Sequence, residues 1–240
     1  MKLAISEVFY SIQGEGPTTG HPAVFVRLGG CNLMCGGMGT QFDKELHNKA
    51  TWRCDTIEVW MNAMSKPFEE ILPVDCQEAL KNGANLIITG GEPLMQQENV
   101  LQFIYYIKEL YPNVYIEIET NGTVVPNEAL LFRVNQWNCS PKLTNSGNDI
   151  SIIYKPSVLN ILNNHNTAFK FVVTTREDWR EIKEYYLGLV NKDKVWLMPS
   201  GENQELLNQS KEVVAEICKE NYLKFTNRLH IEIWNKKTGV

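Results

Sequence analysis

Residues 86–123 read LIITGGEPLMQQENVLQFIYYIKELYPNVYIEIETNGT. The apolar run at 86–89 predicts a strand. It breaks at a Gly-Gly pair, and Leu101, Ile104, Tyr105 and Ile107 then recur at helical spacing, which predicts a helix over 98–111. A second apolar run at 114–119 predicts another strand. Strand, helix and strand in this order describe a crossover between parallel strands. Each predicted strand runs into a polar segment, TGGEPL after the first and ETNGT after the second.

The same alternation extends outward. Upstream, residues 3–12 and 23–28 predict strands, separated by SIQGEGPTTGHP, which is rich in turn residues. The second of them, AVFVRL, is continuous enough for a strand buried on both faces. Residues 29–66 are polar and marked by glycine, and a helix is expected at 74–81. Downstream, strands are predicted at 136–139, 169–174, 194–198 and 229–234, with helices at 157–163, 176–189 and 204–221. About six β/α units result, fewer than the eight of a full barrel. The expected fold is α/β, a single domain over residues 1–240 built as an incomplete TIM-like barrel. A doubly wound open sheet fits the same pattern. In either fold the ligand sits at the carboxyl ends of the strands, so LGGCNLMC, TGGEPL, ETNGT, SPK, TTRED and MPSGEN are the segments that carry chemistry.

Composition narrows the class. With 240 residues, 43% hydrophobic and 21% charged, the chain is neither collagen-like, disordered nor a disulfide scaffold. A net charge of −5 argues against general nucleic-acid binding. The opening MKLAISEVFYSIQGEG lacks the uninterrupted apolar core of a signal peptide. No apolar run approaches the roughly 20 residues that cross a bilayer. The expected compartment is therefore cytoplasmic, where thiols stay reduced.

In that compartment clustered cysteines point to metal. Cys31 and Cys35 have three residues between them, and eighteen more separate Cys35 from Cys54. Structural zinc wants four closed ligands, which His47 could complete. Three thiolates suit an iron–sulfur cluster with one iron left open. Both remain open at this point, as does a buried packing role for free cysteines. Cys76, Cys139 and Cys218 read as packing residues. The two glycines of TGGEPL let backbone approach a ligand closely.

GGCNLMC, the downstream CDT and TGGEPL together resemble radical S-adenosylmethionine enzymes. Adding SIQGEGPTTGHPAVFVRL, ETNGT, SPK and the ending LH…W…GV, the chain is similar to the 7-carboxy-7-deazaguanine synthase family from residue 11 to its end. One departure stands out. The family places its second and third cysteines two residues apart, whereas residues 36–53 intervene here; Cys54 is assigned as third ligand because Asp55-Thr56 follows it.

The resemblance implies a 4Fe–4S cluster on Cys31, Cys35 and Cys54, with S-adenosylmethionine on its open iron as the source of a 5′-deoxyadenosyl radical. Gly90, Gly91 and Glu92 match the segment facing the cofactor's amine. Ser140, Pro141 and Lys142 match positions beside the cofactor, with Met198, Pro199, Ser200 and Gly201 a further contact. Arg53 and Asp55 flank the third cysteine at the adenosyl end. Ile12, Gln13, Gly14 and Glu15 match a segment facing a pterin ring, Arg27 its carboxylate clamp, and Thr89 and His230 further substrate contacts. Thr56 matches a Mg2+ ligand. The implied reaction is a lyase step. It contracts 6-carboxy-5,6,7,8-tetrahydropterin to 7-carboxy-7-deazaguanine with loss of ammonia, in queuosine-type deazapurine synthesis. A flavodoxin-type electron donor and a homodimer are implied, with no nucleic-acid or membrane partner. Two rivals remain. A radical activase would share the cysteines, though Gln13 with Arg27 counts against it. A zinc-bound, non-catalytic module is the alternative from another class.

Overall fold

The computed structural model describes residues 1–237 and 239, so Val240, last residue of the C-terminal motif, lies outside the described residues. The sheet begins with a long antiparallel hairpin, β1 (Lys2–Ile12) and β2 (Pro22–Leu28). Helix α1 (Thr40–Asp43), helix α2 (Ile57–Trp60) and strand β3 (Met64–Pro67) follow, β3 pairing antiparallel with the start of β1. Then comes the regular alternation: α3 (Val74–Lys81), β4 (Asn85–Gly90), α4 (Gln97–Leu110), β5 (Ile116–Thr120), α5 (Glu128–Arg133) and β6 (Gln136–Cys139). After α6 (Ile150–Ile153) and α7 (Pro156–Asn163) come β7 (Thr167–Val173), α8 (Arg176–Tyr185), β8 (Val195–Pro199), α9 (Gln204–Asn221), β9 (Lys224–Phe225) and α10 (Leu229–Trp234).

Among the described residues the strands form one mixed sheet in the order β3-β1-β2-β4-β5-β6-β7-β8-β9, parallel from β2 onward. Its two edges do not pair with each other. The expected incomplete barrel is thus present, with β1 and β3 adding antiparallel strands to one side.

Side-chain alternation separates two faces. Ile116 and Ile118 of β5 join Val24, Val26 and Leu28 of β2 in the main core, together with Val100, Ile104 and Ile107 of α4. The opposite faces carry Phe25 and Arg27 in β2 and Glu117 and Glu119 in β5. That inner face is polar toward the carboxyl ends. Elsewhere it holds a small apolar floor of Ala23, Phe25 and Ile87, with Phe9 stacked on Phe25 at 4.9 Å. Cys76, Cys139 and Cys218 are buried in the main core, as expected.

The strand expected at 229–234 is instead α10. The short strand β9 already occupies the free edge of β8, so LHIEIW has no ladder to join. As a helix it buries Ile231 and leaves Ile233 exposed. Sequence analysis also missed α1, α2, α5, α6, β3 and β9, and α8 ends at Tyr185, short of the expected 189.

Candidate active site

A cavity of about 990 Å³ opens at the carboxyl ends of the parallel strands. Every residue that the resemblance assigned to the site lines it except Glu92 and Pro141. The cluster-loop cysteines, the Gln13 segment, Arg27, Lys142, the Met198–Gly201 turn and His230 are therefore brought to one place from seven separate segments.

The glycine pair after β4 acts by close approach. A Cβ on Gly91 would lie 2.0 Å from the Gly30 carbonyl oxygen, and one on Gly90 would lie 2.4 Å from that of Leu28. Without side chains the two loops lock together: Gly91 N–H donates to Leu28 O (3.2 Å) and Glu92 N–H to Gly30 O (2.8 Å). Glu92 itself is fully buried. Its carboxylate accepts from Leu94 N–H (3.0 Å), the Thr120 hydroxyl (2.9 Å) and Asn121 N–H (2.7 Å). Through these donors Glu92 ties the β4 loop to the β5 loop. Burial pushes its carboxyl upward, and the three donated bonds oppose this. Pro141 likewise lies buried, between Ser140 and Lys142.

Cys31, Cys35 and Cys54 line one wall, with Leu33, Trp52, Ile150 and Ile153 packed around them. Burial pushes the thiol of Cys31 up to about 11 and that of Cys35 up to about 12, with Lys142 opposing the shift in both. The inserted stretch 36–53 returns on itself, since Cys54 N–H donates to Cys35 O at 3.1 Å. It is pinned to the turn after β6 by Gly36 N–H to Ser146 O, Thr51 N–H to Asn145 O and the Trp52 indole N–H to Asn145 Oδ1. Its His47 bonds Asp43 at 2.9 Å and is not among the cavity-lining residues, so it completes no metal site there. Among the described residues no three His, Cys, Asp or Glu side chains are grouped to hold a single ion. Three separate thiols along an apolar, amide-bearing wall suit instead a cluster whose irons are bound one by one. Lys142 donates to Ser140 Oγ at 2.9 Å and sits over the Trp52 ring, leaving its charge beside the cysteines. Arg53 donates to Thr40 and Glu58. Thr56 places its hydroxyl 3.3 Å from the Cys54 sulfur.

The opposite wall is a chain of charges of which the sequence disclosed only Glu15 and Asp55. Lys170 of β7, 2% exposed, donates to Glu15 at 2.9 Å and faces Glu119 at 3.8 Å. Arg228 donates to Glu15 (3.0 Å), to Asp55 (2.6 Å) and to Gly201 O (2.6 Å). Glu119 also receives the Thr89 hydroxyl (2.7 Å) and the Gln13 amide (3.3 Å). Burial pushes the Glu15 carboxyl up, but Lys170 and Arg228 outweigh it and hold Glu15 well below the ordinary carboxylate range. Asp55 is likewise held low by Arg228 against its burial.

Helix α10 closes this wall, with Leu229 N–H donating to Gly14 O at 2.9 Å. A Cβ on Gly14 would lie 2.2 Å from His230 Nδ1, so a side chain there would displace the His230 ring. Burial and the Arg228 charge lower His230 below its ordinary value, which keeps the ring neutral near pH 7. Arg27 gives its Nε to Glu7 at 2.7 Å. Its two terminal nitrogens take no protein partner among the described residues and lie in the cavity wall.

Lys170, Arg228, Glu119 and Glu7 were the site residues missed. Arg228 lies two residues before His230, and Lys170 interrupts the apolar strand TAFKFVV. A lysine on the inner face of a buried strand was the one signal available.

Comparison with known proteins agrees with this geometry. A family model described as a 4Fe-4S single cluster domain matches residues 12–127. The 7-carboxy-7-deazaguanine synthase of Pyrobaculum aerophilum is 30% identical over 99% of this chain and 97% of its own length. That of Hyperthermus butylicus is 32% identical, covering 95% and 92%. Among solved structures, that of QueE from Escherichia coli superposes with a TM-score of 0.64 at 22% identity, over 96% of this chain and 95% of that one, which is a likeness of fold.

Proposed function

Since the chain belongs to the 7-carboxy-7-deazaguanine synthase family, we propose that this one cavity holds a 4Fe–4S cluster, S-adenosylmethionine and a carboxypterin together. The reaction is the ring contraction of 6-carboxy-5,6,7,8-tetrahydropterin to 7-carboxy-7-deazaguanine with loss of ammonia. The carrying observation is that the three cysteines and the Gln13–Glu15–Arg27–Glu119 wall face a single space of about 990 Å³, within the range of small-molecule sites.

When bound, the cluster and S-adenosylmethionine supply the radical chemistry, which the protein itself does not. The residues divide the remaining work. Cys31, Cys35 and Cys54 hold the cluster. The Gly90-Gly91 backbone, Ser140, Lys142, the backbone at Arg53 and Asp55, and the Met198–Gly201 turn hold the cofactor's polar ends. Arg27 offers its two free nitrogens to the substrate carboxylate, a planar match that lysine would not provide. Glu119, Glu15, Gln13 and the main chain of Ile12 and Gly14 read the aminopyrimidinone edge. Thr89 orients Glu119, and neutral His230 faces the ring. Thr56 offers a hard oxygen to Mg2+, which takes few protein ligands and keeps its waters. A flavodoxin-type donor, a homodimer, action as one domain and a cytoplasmic setting complete the reading; no helix among the described residues is long and apolar enough to cross a membrane.

The test is direct. Protein reconstituted with iron and sulfide under anaerobic conditions is incubated with S-adenosylmethionine, dithionite, Mg2+ and the carboxypterin. The expected result is 7-carboxy-7-deazaguanine by mass spectrometry. An intact cluster with no such product would defeat the assignment.

A further inference from the structure

We propose that Asn148 sets the reduction potential of the cluster by donating its side-chain N–H to the thiolate of Cys35. This rests on Cys35 being a cluster ligand. Asn148 Nδ2 lies 3.6 Å from Cys35 Sγ. The orientation of the amide is fixed by its neighbours. Its Oδ1 accepts from Met34 N–H at 3.1 Å, and a backbone N–H can only donate. Its Nδ2 also donates to Ser146 Oγ at 3.0 Å, and Ser146 spends its own proton on Leu143 O at 2.7 Å. One amide hydrogen therefore points at the serine and the other at the sulfur.

The setting makes this bond count. Cys35 is 7% exposed and packed against Leu33 and Ile153, where an N–H dipole is poorly screened. At Cys31 the matching approach is longer: Asn121 Nδ2 stands 4.0 Å from the sulfur while donating to Asn32 Oδ1 at 2.9 Å. Adding an electron raises the negative charge on the cluster sulfurs. A donor aimed at one of them stabilises the reduced form more than the oxidised form and raises the potential. Asn148 follows the turn that anchors the insertion, so the same turn that holds the lengthened loop also adjusts the electronics at its base.

The experiment is a redox titration of the reconstituted holoprotein by electron paramagnetic resonance, comparing wild type with Asn148→Ala and Asn148→Asp. Asn148→Ala removes the donor without adding charge, whereas Asn148→Asp keeps an acceptor for Met34 N–H, removes the donor and adds a negative charge beside Cys35. At the wild-type midpoint, the ratio of reduced to oxidised cluster is expected to fall at least threefold in Asn148→Ala. It is expected to fall about tenfold in Asn148→Asp, which for a one-electron couple is about 59 mV. An unchanged midpoint in either loaded variant overturns the inference. If neither variant retains iron, Asn148 anchors the loop and nothing more, and the inference again falls. Cys35→Ser separates the underlying reading: iron retained there with an unchanged signal refutes the ligand assignment itself, whereas iron lost there with normal midpoints in the Asn148 variants refutes only the tuning role.

Discussion

Glu15 shows how a single carboxylate can hold a site together. Lys170 and Arg228 both bond it, and Arg228 carries the link on to Asp55, directly after the third cysteine. The held-down carboxyl of Glu15 has a consequence for acid stability. In the unfolded chain it takes a proton near its ordinary pH of 4.5, while in the fold it resists until lower pH. Between those values the unfolded state binds more protons. This share of stability is therefore complete above pH 4.5 and is lost as pH falls below it. Glu15→Gln is expected to flatten the acid limb of the melting-temperature curve. It is also expected to cost about 3 kcal/mol at neutral pH, because two buried cations lose their shared partner. Calorimetry across the acid range checks both. Sequence reading named Glu15 and Asp55 but neither cation that binds them. A buried ion pair spans distant segments and leaves no local spacing to read, and Lys170 sits 155 residues from Glu15.

At the scale of elements, the insertion 36–53 behaves as a closed excursion whose two ends meet in one hydrogen bond and whose body leans on the turn after β6. Gly147 is the contact point. It adopts φ +76°, and a Cβ there would lie 2.9 Å from Ala50 Cβ, Gly37 N and His47 O. Gly147→Ala is expected to cost about 2–3 kcal/mol, from the left-handed backbone together with the clash. It should also open the insertion to protease within residues 36–53. Limited proteolysis with mass mapping gives the answer, and an unchanged cleavage pattern would show that the turn does not hold the loop. The elements themselves were legible where period and length agreed: α3, β6 and α9 match their expected bounds. They were not legible where pattern alone had to decide. LHIEIW alternates like a strand, yet whether it pairs depends on an edge that β9 already covers. β3 and β9, of four and two residues, are too short to show a period.

Over the whole molecule the six cysteines fall into two populations. Three line the cavity, and three are packed in the core with side chains from both sheet and helices. Cys54→Ala is expected to lose iron after reconstitution while the metal-free protein melts as wild type. Cys76→Ala should keep its iron and lose about 1–2 kcal/mol from the small cavity left behind. Iron analysis and thermal melts together decide; iron lost from Cys76→Ala and kept by Cys54→Ala would reverse the assignment. The site's location at the strand ends was legible because a parallel sheet directs all its following loops to one side. The contacts of individual residues were less so: the three donors through which Glu92 braces two loops left no mark in the sequence.

The reach of Arg228 bears on how the protein is made. It fastens to Glu15 and Asp55, 213 and 173 residues earlier in the chain. Contacts of such separation form late, since loop closure must precede their reward. During synthesis at about 5–20 residues per second, the cavity wall stays incomplete until Arg228 has left the ribosome. The cysteine wall opposite draws only on residues up to Ile153. The two facing walls of the cavity are therefore completed at different stages of chain growth.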